Sequence, residues 1–293
     1  MSKEWQGKSK ANVTGYKIFG FFINTFGVRA AYFLLLFVAS YYFLFSWKSS
    51  APMLRFYQER LKFSLLKALG LLYVNYFRFG QTLIDKFAIL AGASDGFTFH
   101  FDGEQHLREM VSLGRGGILL SAHAGNWEVA GQMLHHLNTP VNVVMYDGED
   151  ENIKQYLETR ADKRFKVIFI GNDLSHIFKI NEALAANELI CMHADRFLPG
   201  NKTLPLDFLG GPALFPEGPF LLSLRLRVPM VYVYAFKETA THYHLFSTPV
   251  KHFSPANQDT SRHIATDFVA HLEHMVQRYP EQWFNYYDFW KAA

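Results

Sequence analysis

The sequence predicts an α/β fold: a mixed, largely parallel central sheet flanked by helices, preceded by an N-terminal membrane-associated helical segment. Three observations carry this expectation. Short apolar runs rich in β-branched and aromatic residues recur between longer segments of helical periodicity, the pattern of strands alternating with helices. The chain has 293 residues, 49% of them apolar, which is enough for a full core and excludes a disordered chain. The stretch from Ala30 to Ser46 carries no charge and lies between Arg29 and Lys48.

Taken in order, the uncharged stretch comes first. As a helix it is roughly 26 Å long at about 1.5 Å per residue, close to the ~30 Å hydrocarbon core of a bilayer. Tyr32, Tyr41, Tyr42 and Trp47 suit membrane interfaces, and a second apolar piece, Ile18 to Ile23, precedes it. A buried helix of a soluble core is the alternative. A cleavable signal peptide fits poorly, because the run starts late and no small-x-small site follows it. Basic residues on both sides leave the orientation open and fit a shallow or hairpin insertion as well as a span. Residues 1–67 hold ten basic side chains against Glu4 and Glu59, while the whole chain is only +3, so the remainder is net acidic. A basic, aromatic N-terminus on an acidic body points to an anionic leaflet.

A helical stretch follows from Pro52 to about Gly92, with Leu61, Leu65, Leu69 and Leu72 at helical spacing. Strands are expected at 97–101, 117–122, 141–146, 167–170, 189–193, 228–236 and 243–248. Helices are expected at 127–137, 151–163, 174–186, 219–226 and 267–277, and Asp102 is positioned to cap a further helix that ends near Gly114. In the last helix Phe268, Leu272, Met275 and Val276 share one face. No internal repeat or low-complexity linker is present. The expected division is therefore 1–92, an N-terminal membrane-anchor and helical segment, and 93–293, an α/β catalytic domain.

The strongest site signal follows the apolar run GILLSA: Ser121-Ala122-His123-Ala124-Gly125-Asn126-Trp127-Glu128. His123 falls just past the C-terminal end of a strand, where open α/β sheets place their sites. If the chain bends at Gly125, the Glu128 carboxylate reaches the imidazole, fixes its tautomer and stabilises its charged form. That is a general base for an attacking hydroxyl or amine. The amides near Gly125 and Asn126 offer an oxyanion or phosphate site at a helix N-terminus. The plain alternative is that His123 only caps the helix, and that Asn126 and Trp127 shape the loop.

Other constellations carry less. The single Cys191 excludes a disulfide framework and a cysteine-rich metal site, and reads as a small buried residue. His135-His136 suits a helix end. His263, His271 and His274 lack a carboxylate at matching spacing, so no metal site is assigned. His123, His193 and Asp195 admit an alternative as a metal-dependent membrane hydrolase. There is no phosphate loop or dinucleotide fingerprint, and nucleic-acid binding has no support beyond the basic N-terminus.

The segment GGILLSAHAGNWEVAG resembles the first motif of the lysophospholipid acyltransferase superfamily, and most closely its branch of late lipid A acyltransferases. His123 and Glu128 match the family's His-x4-acid signature, with Gly125, Asn126 and Trp127 as the branch prefers. Cys191-Met192-His193-Ala194-Asp195-Arg196 is similar to the second block, where an Asp-Arg or similar pair helps bind substrate. Phe208-Leu209-Gly210 and Phe215-Pro216-Glu217-Gly218-Pro219 are similar to the third block, and Pro229 to the fourth. Glu217 is more like the glycerolipid enzymes than the lipid A ones. Tyr279-Pro280-Glu281-Gln282-Trp283-Phe284 matches the branch's C-terminal signature, but the tail after it departs from the basic ending of that branch. Gly15-Tyr16-Lys17, the aromatic span and Phe79-Gly80-Gln81-Thr82 resemble acyltransferases of aryl polyene and flexirubin-type clusters.

The resemblance covers about residues 5 to 290. It implies a glycerolipid acyltransferase-like fold and transfer of a fatty acyl group from an acyl carrier protein or coenzyme A thioester to a hydroxyl or amine of a lipid-like acceptor. His123 would be the base and Glu128 its orienting acid. Gly125, Asn126, Asp195, Arg196 and Glu217 would bind substrate. Arg196 would meet a phosphate or carboxylate, or else pair with a neighbouring acid. Glu217 would position the acceptor, hold Arg196, or serve as an ordinary turn acid. No cofactor beyond the thioester co-substrate is implied. The expected partners are membrane lipid and an acyl carrier protein. The expected location is the cytoplasmic side of a bacterial inner membrane. A non-catalytic lipid-binding protein of the same fold is a further alternative.

Overall fold

The computed structural model describes residues 20–23, 25–90, 96–127, 129, 137, 139–146, 165–171 and 173–290. The expected helices at 127–137 and 151–163 fall almost wholly outside the described residues, as do Glu128, His135 and His136.

The described elements are helices α1 (Val28–Phe45), α2 (Trp47–Arg55) and α3 (Leu65–Leu90), then β1 (Thr98–Asp102), α4 (Glu104–Ser112), β2 (Gly117–Ser121), β3 (Val141–Tyr146) and β4 (Phe165–Ile170). They continue as α5 (Ser175–Ala185), β5 (Leu189–His193), β6 (Thr203–Asp207), β7 (Pro212–Pro216), α6 (Gly218–Leu226), β8 (Met230–Lys237), β9 (His242–Ser247) and α7 (Ser261–Arg278). Seven strands form the central sheet in the order β1-β9-β8-β2-β5-β3-β4. Only the β8–β9 contact is antiparallel; the others are parallel. The predicted mixed, largely parallel sheet is therefore what the chain forms.

Both faces of the sheet are covered, which explains why β2 is an unbroken apolar run rather than an alternating one. Ile118 and Leu120 enter one core with Met53, Phe56, Leu72, Phe208 and Phe268. Leu119 enters the other with Leu35, Ile84 and Leu107. Residues of the first ninety thus supply part of each core.

Three local departures from the sequence expectation have physical causes. The stretch from Pro52 is not one helix: α2 contains Pro52, a π-helical turn spans Phe56–Arg60, and Lys62 at φ 57° turns the chain before α3 begins. The antiparallel hairpin β6–β7 lies where Pro205, Pro212 and Pro216 in the sequence argue against strands. An isolated two-stranded ribbon consists only of edges, so it tolerates them. Gly103, in the left-handed region, takes the N-cap position of α4, and Asp102 ends β1 instead of capping.

Helix α1 lies along α3 rather than standing apart. Ala31, Tyr32, Leu35 and Ala39 are buried at helical spacing. Leu35 seats over Gly80, where an added Cβ would come within 2.3 Å of its Cδ1. The other face exposes Phe33, Phe37, Tyr41, Leu44 and Phe45. The helix is long and apolar enough to cross a membrane by length and composition. One buried polar cluster ties it to the body. Asp85 of α3 accepts from Tyr32, Tyr243 and the Lys237 ammonium. Lys237 also donates to the Tyr32 hydroxyl at 3.0 Å. Burial pushes the Asp85 carboxyl up and the Lys237 amine down, and each partner's charge opposes that change.

Candidate active site

His123 and Asp195 are brought together by strand register. β2 and β5 run parallel with Ser121 opposite His193. Two residues past each, His123 and Asp195 therefore leave adjacent strand ends at the same level. The Asp195 carboxylate takes both polar hydrogens that His123 presents: Oδ2 accepts the backbone N–H at 2.9 Å and Oδ1 contacts ring Nδ1 at 2.7 Å. This fixes the proton on Nδ1 and leaves the lone pair on Nε2. Asp195, expected among the substrate-binding residues, is the acid that contacts and orients the His123 ring. Glu128, expected in that role, lies outside the described residues.

The loop carrying His123 is clamped by distant backbone. Gly125 has φ +73°, and an added Cβ would lie 2.1 Å from Ala235 O. Its N–H donates to Gln282 O at 2.8 Å, and the Asn126 N–H donates to Ala235 O at 2.7 Å. Ala124 bridges Trp283, and the Phe284 N–H donates to His123 O at 2.9 Å. The Gly125 and Asn126 amides are thus committed to backbone carbonyls, which corrects the expectation that they serve an oxyanion.

The buried Asn126 side chain is committed as well. It donates to Thr82 O at 3.3 Å and to the Tyr243 hydroxyl at 3.2 Å, and it accepts from the Val129 N–H at 3.4 Å. It joins the loop to the Asp85–Lys237 cluster instead of facing a substrate.

Residues 282–284, part of the C-terminal signature in the resemblance, back the His123 loop through their backbone contacts with it. Gln282 holds the end of β8, accepting the Lys237 N–H at 2.8 Å and donating to Lys237 O at 2.9 Å. Trp283 is fully buried against Phe56, with ring centroids 4.8 Å apart. Arg196 donates to Phe284 O, and its guanidinium lies 6.0 Å from the Tyr287 ring. Glu217 sits elsewhere, at the start of α6, where it accepts the Ser261 hydroxyl at 2.9 Å and so joins α6 to α7. A cavity of about 350 Å³ lies between Arg55, Arg60, Asp288 and Trp290, apart from the imidazole.

The electrostatics favour a neutral base. Burial lowers the His123 pKa, the Arg196 charge lowers it further, and Asp195 opposes both. Burial works against ionisation of Asp195, but His123, Arg196 and His193 outweigh it and hold the carboxyl well below the usual range. His193, whose ring lies 4.4 Å from that of His123, is pushed down to about 3 by burial and by its neighbour. Burial raises the Cys191 thiol to about 12, so no thiolate nucleophile is available there. His123, His193 and Asp195 place one potential ligand atom each within 4.8 Å of one another.

A largely parallel sheet carrying a histidine–carboxylate pair at its strand ends, with a cation beside it and its cysteine held as the thiol, places the protein in the α/β class. Residues 80–292 match the model of the bacterial lipid A biosynthesis acyltransferases. The chain belongs to that family, as its first motif implied. It is also similar to phosphatidylinositol mannoside acyltransferases. That of Mycobacterium tuberculosis H37Rv is 28% identical over 124 residues, covering 42% of this chain and 39% of the relative. That of Mycolicibacterium smegmatis is 28% identical over 135 residues, covering 45% and 44%. The matched stretches thus span less than half of each relative.

Proposed function

We propose that the protein transfers a fatty acyl group from an acyl carrier protein or coenzyme A thioester to a hydroxyl or amine of a lipid-like acceptor at a membrane surface. The observation that carries this reading is the double contact of Asp195 with the ring and backbone of His123. Nε2 takes the proton of the acceptor as its oxygen or nitrogen attacks the thioester carbonyl. The tetrahedral intermediate collapses with loss of thiolate, which receives the proton back from the imidazolium. One C–O or C–N bond forms and one C–S bond breaks, with no acyl-enzyme. Asp195 stabilises the imidazolium formed on the way. Arg196, whose charge acts on both His123 and Asp195, would add its field to the stabilisation of an acceptor phosphate or of the developing oxyanion. Glu128 remains a candidate second acid through its spacing. Gly125 and Asn126 act by shaping the loop, and Glu217 by joining α6 to α7.

Acyl chains remain in hydrocarbon because each buried CH₂ is worth about 0.8 kcal/mol. The exposed aromatic face of α1 suits insertion into a leaflet, and a thioester donor of this kind would favour a site on the cytoplasmic side of a bacterial inner membrane. Lipid A and phosphatidylinositol mannoside are both glycolipids, which favours a sugar hydroxyl as the acceptor.

One observation favours a second reading, a metal-dependent hydrolase on His123, His193 and Asp195, since their ligand atoms converge. Against it, both Asp195 oxygens already serve His123. The experiment is acyl transfer by His123→Ala and wild-type protein, followed as thioester loss and by mass spectrometry of the lipid product. A folded His123→Ala protein that turns over normally overturns the mechanism. Lipid hydrolysis that is lost on chelation, restored by zinc and absent from a folded His193→Ala protein installs the hydrolase reading instead. A wild-type protein that consumes no thioester leaves a lipid-binding role.

A further inference from the structure

A second group of ligating side chains lies at the edge of the sheet and takes no part in the chemistry at His123. β1 carries His100 and Asp102 on one face, and the parallel register sets His100 opposite His244 of β9. His244 Nε2 lies 2.8 Å from Asp102 Oδ2, and His100 Nε2 lies 3.3 Å from Asp102 Oδ1. One ligand atom from each of the three falls within 4.8 Å of the others. The rings of His100 and His244 meet edge to face, with centroids 4.7 Å apart. On its other side, His244 Nδ1 faces Glu238 Oε1 at 3.1 Å. That carboxylate is itself held by the Tyr279 hydroxyl at 3.0 Å.

Counting hydrogens gives this arrangement its meaning. His244 stands between two carboxylates, and a neutral imidazole has one N–H to donate. When Nδ1–H goes to Glu238, Nε2 turns a lone pair toward a carboxylate oxygen. A cation between Nε2 and Asp102 converts that repulsion into two bonds. A histidine whose distal nitrogen donates to a carboxylate is the usual outer arrangement around a metal ligand. Two imidazoles and one carboxylate suit zinc or a similar divalent ion, whereas calcium and magnesium favour oxygen ligands alone. Bonds of about 2.0–2.2 Å set the ligand atoms roughly 3.4 Å apart, so the His244–Asp102 pair opens from 2.8 Å while more distant ligand atoms draw in. The side chains of His100 and Asp102 are 60% and 56% exposed and have room to do so.

We propose that His100, Asp102 and His244 form a zinc-class metal site, with Glu238 as its outer carboxylate, that clamps edge strand β1 to β9. Zinc titrated calorimetrically into chelator-treated full-length protein tests this. One ion is expected per chain. His100→Ala and His244→Ala each weaken binding at least tenfold, and Glu238→Gln weakens it by about 10–100-fold. His123→Ala, which disables the other histidine–aspartate group, leaves zinc affinity unchanged. Failure of the wild-type protein to bind zinc overturns the assignment, as does equal binding by His100→Ala or loss of binding in His123→Ala. A second proton on His244, in place of a metal, gives the first of these results. Because His244 packs on Phe246 at 4.0 Å and its variant is at risk of misfolding, the exposed His100 position decides the matter.

Discussion

Asp195→Asn probes the site most directly, because the replacement is isosteric and its orientation is forced. The His123 backbone N–H requires an acceptor at the position of Oδ2, 2.9 Å away. The asparagine carbonyl must take that place, which turns its NH₂ toward ring Nδ1, 2.7 Å from the present Oδ1. Nδ1 then becomes the acceptor and the ring proton moves to Nε2, the nitrogen that must be bare to act as a base. The rate loss is that of general-base catalysis, about 10²–10⁴-fold, or roughly 2.7–5.4 kcal/mol at 1.36 kcal/mol per decade. Initial rates of thioester loss with acceptor present read this out, while thermal and urea unfolding show that the variant is folded. The pH profile adds a signature that a merely structural role would not produce. His123 already sits below its ordinary value, through burial and Arg196, and Asp195 is what holds it up. Removing that charge moves the acid limb of kcat/KM to lower pH while the plateau falls. A folded Asp195→Asn protein with at least a third of wild-type turnover, or with an unmoved acid limb, would refute the assignment of Asp195 as the orienting acid. A larger loss in Glu128→Gln than in Asp195→Asn would pass that role to Glu128.

Further outcomes are expected. Stability to urea should fall as pH drops from about 6.5, the unfolded histidine value, toward the folded values of about 3 for His193 and about 4 for His271. The folded form binds fewer protons over that window, so each such histidine costs up to about 1.4 kcal/mol per pH unit, and His193→Gln should flatten the curve. Lys237→Met strands the Asp85 carboxylate among Tyr32 and Tyr243 and should cost about 3–5 kcal/mol, measured by urea unfolding. Asp85→Asn combined with Lys237→Met should cost less than Lys237→Met alone. Gly125→Ala meets both a φ of +73° and the Ala235 carbonyl at 2.1 Å, so it should displace the His123 loop and remove most transfer activity. A Gly125→Ala protein of wild-type rate would mean that the loop is looser than its contacts imply.

The apolar run before His123, the turn at Gly125 and the uncharged helix near the N-terminus were legible in the sequence because each is a local property. Buried strands need continuous apolar residues, a left-handed turn favours glycine, and an uncharged apolar run of this length is visible in composition alone. The partner of His123 was not legible in this way. The two positions lie 72 residues apart in the chain. They meet only because β2 and β5 are neighbours in register, and no spacing in the sequence encodes that order. The same holds for Gln282 to Phe284 beneath the loop, for Asn126 turned toward Tyr243, and for His100 and Asp102 beside His244. Sequence determined which segments become strands and helices and which residue types stand at their ends. Tertiary structure decided which ends are adjacent, because strand order comes from burying both faces of one sheet at once, a choice made by the whole chain.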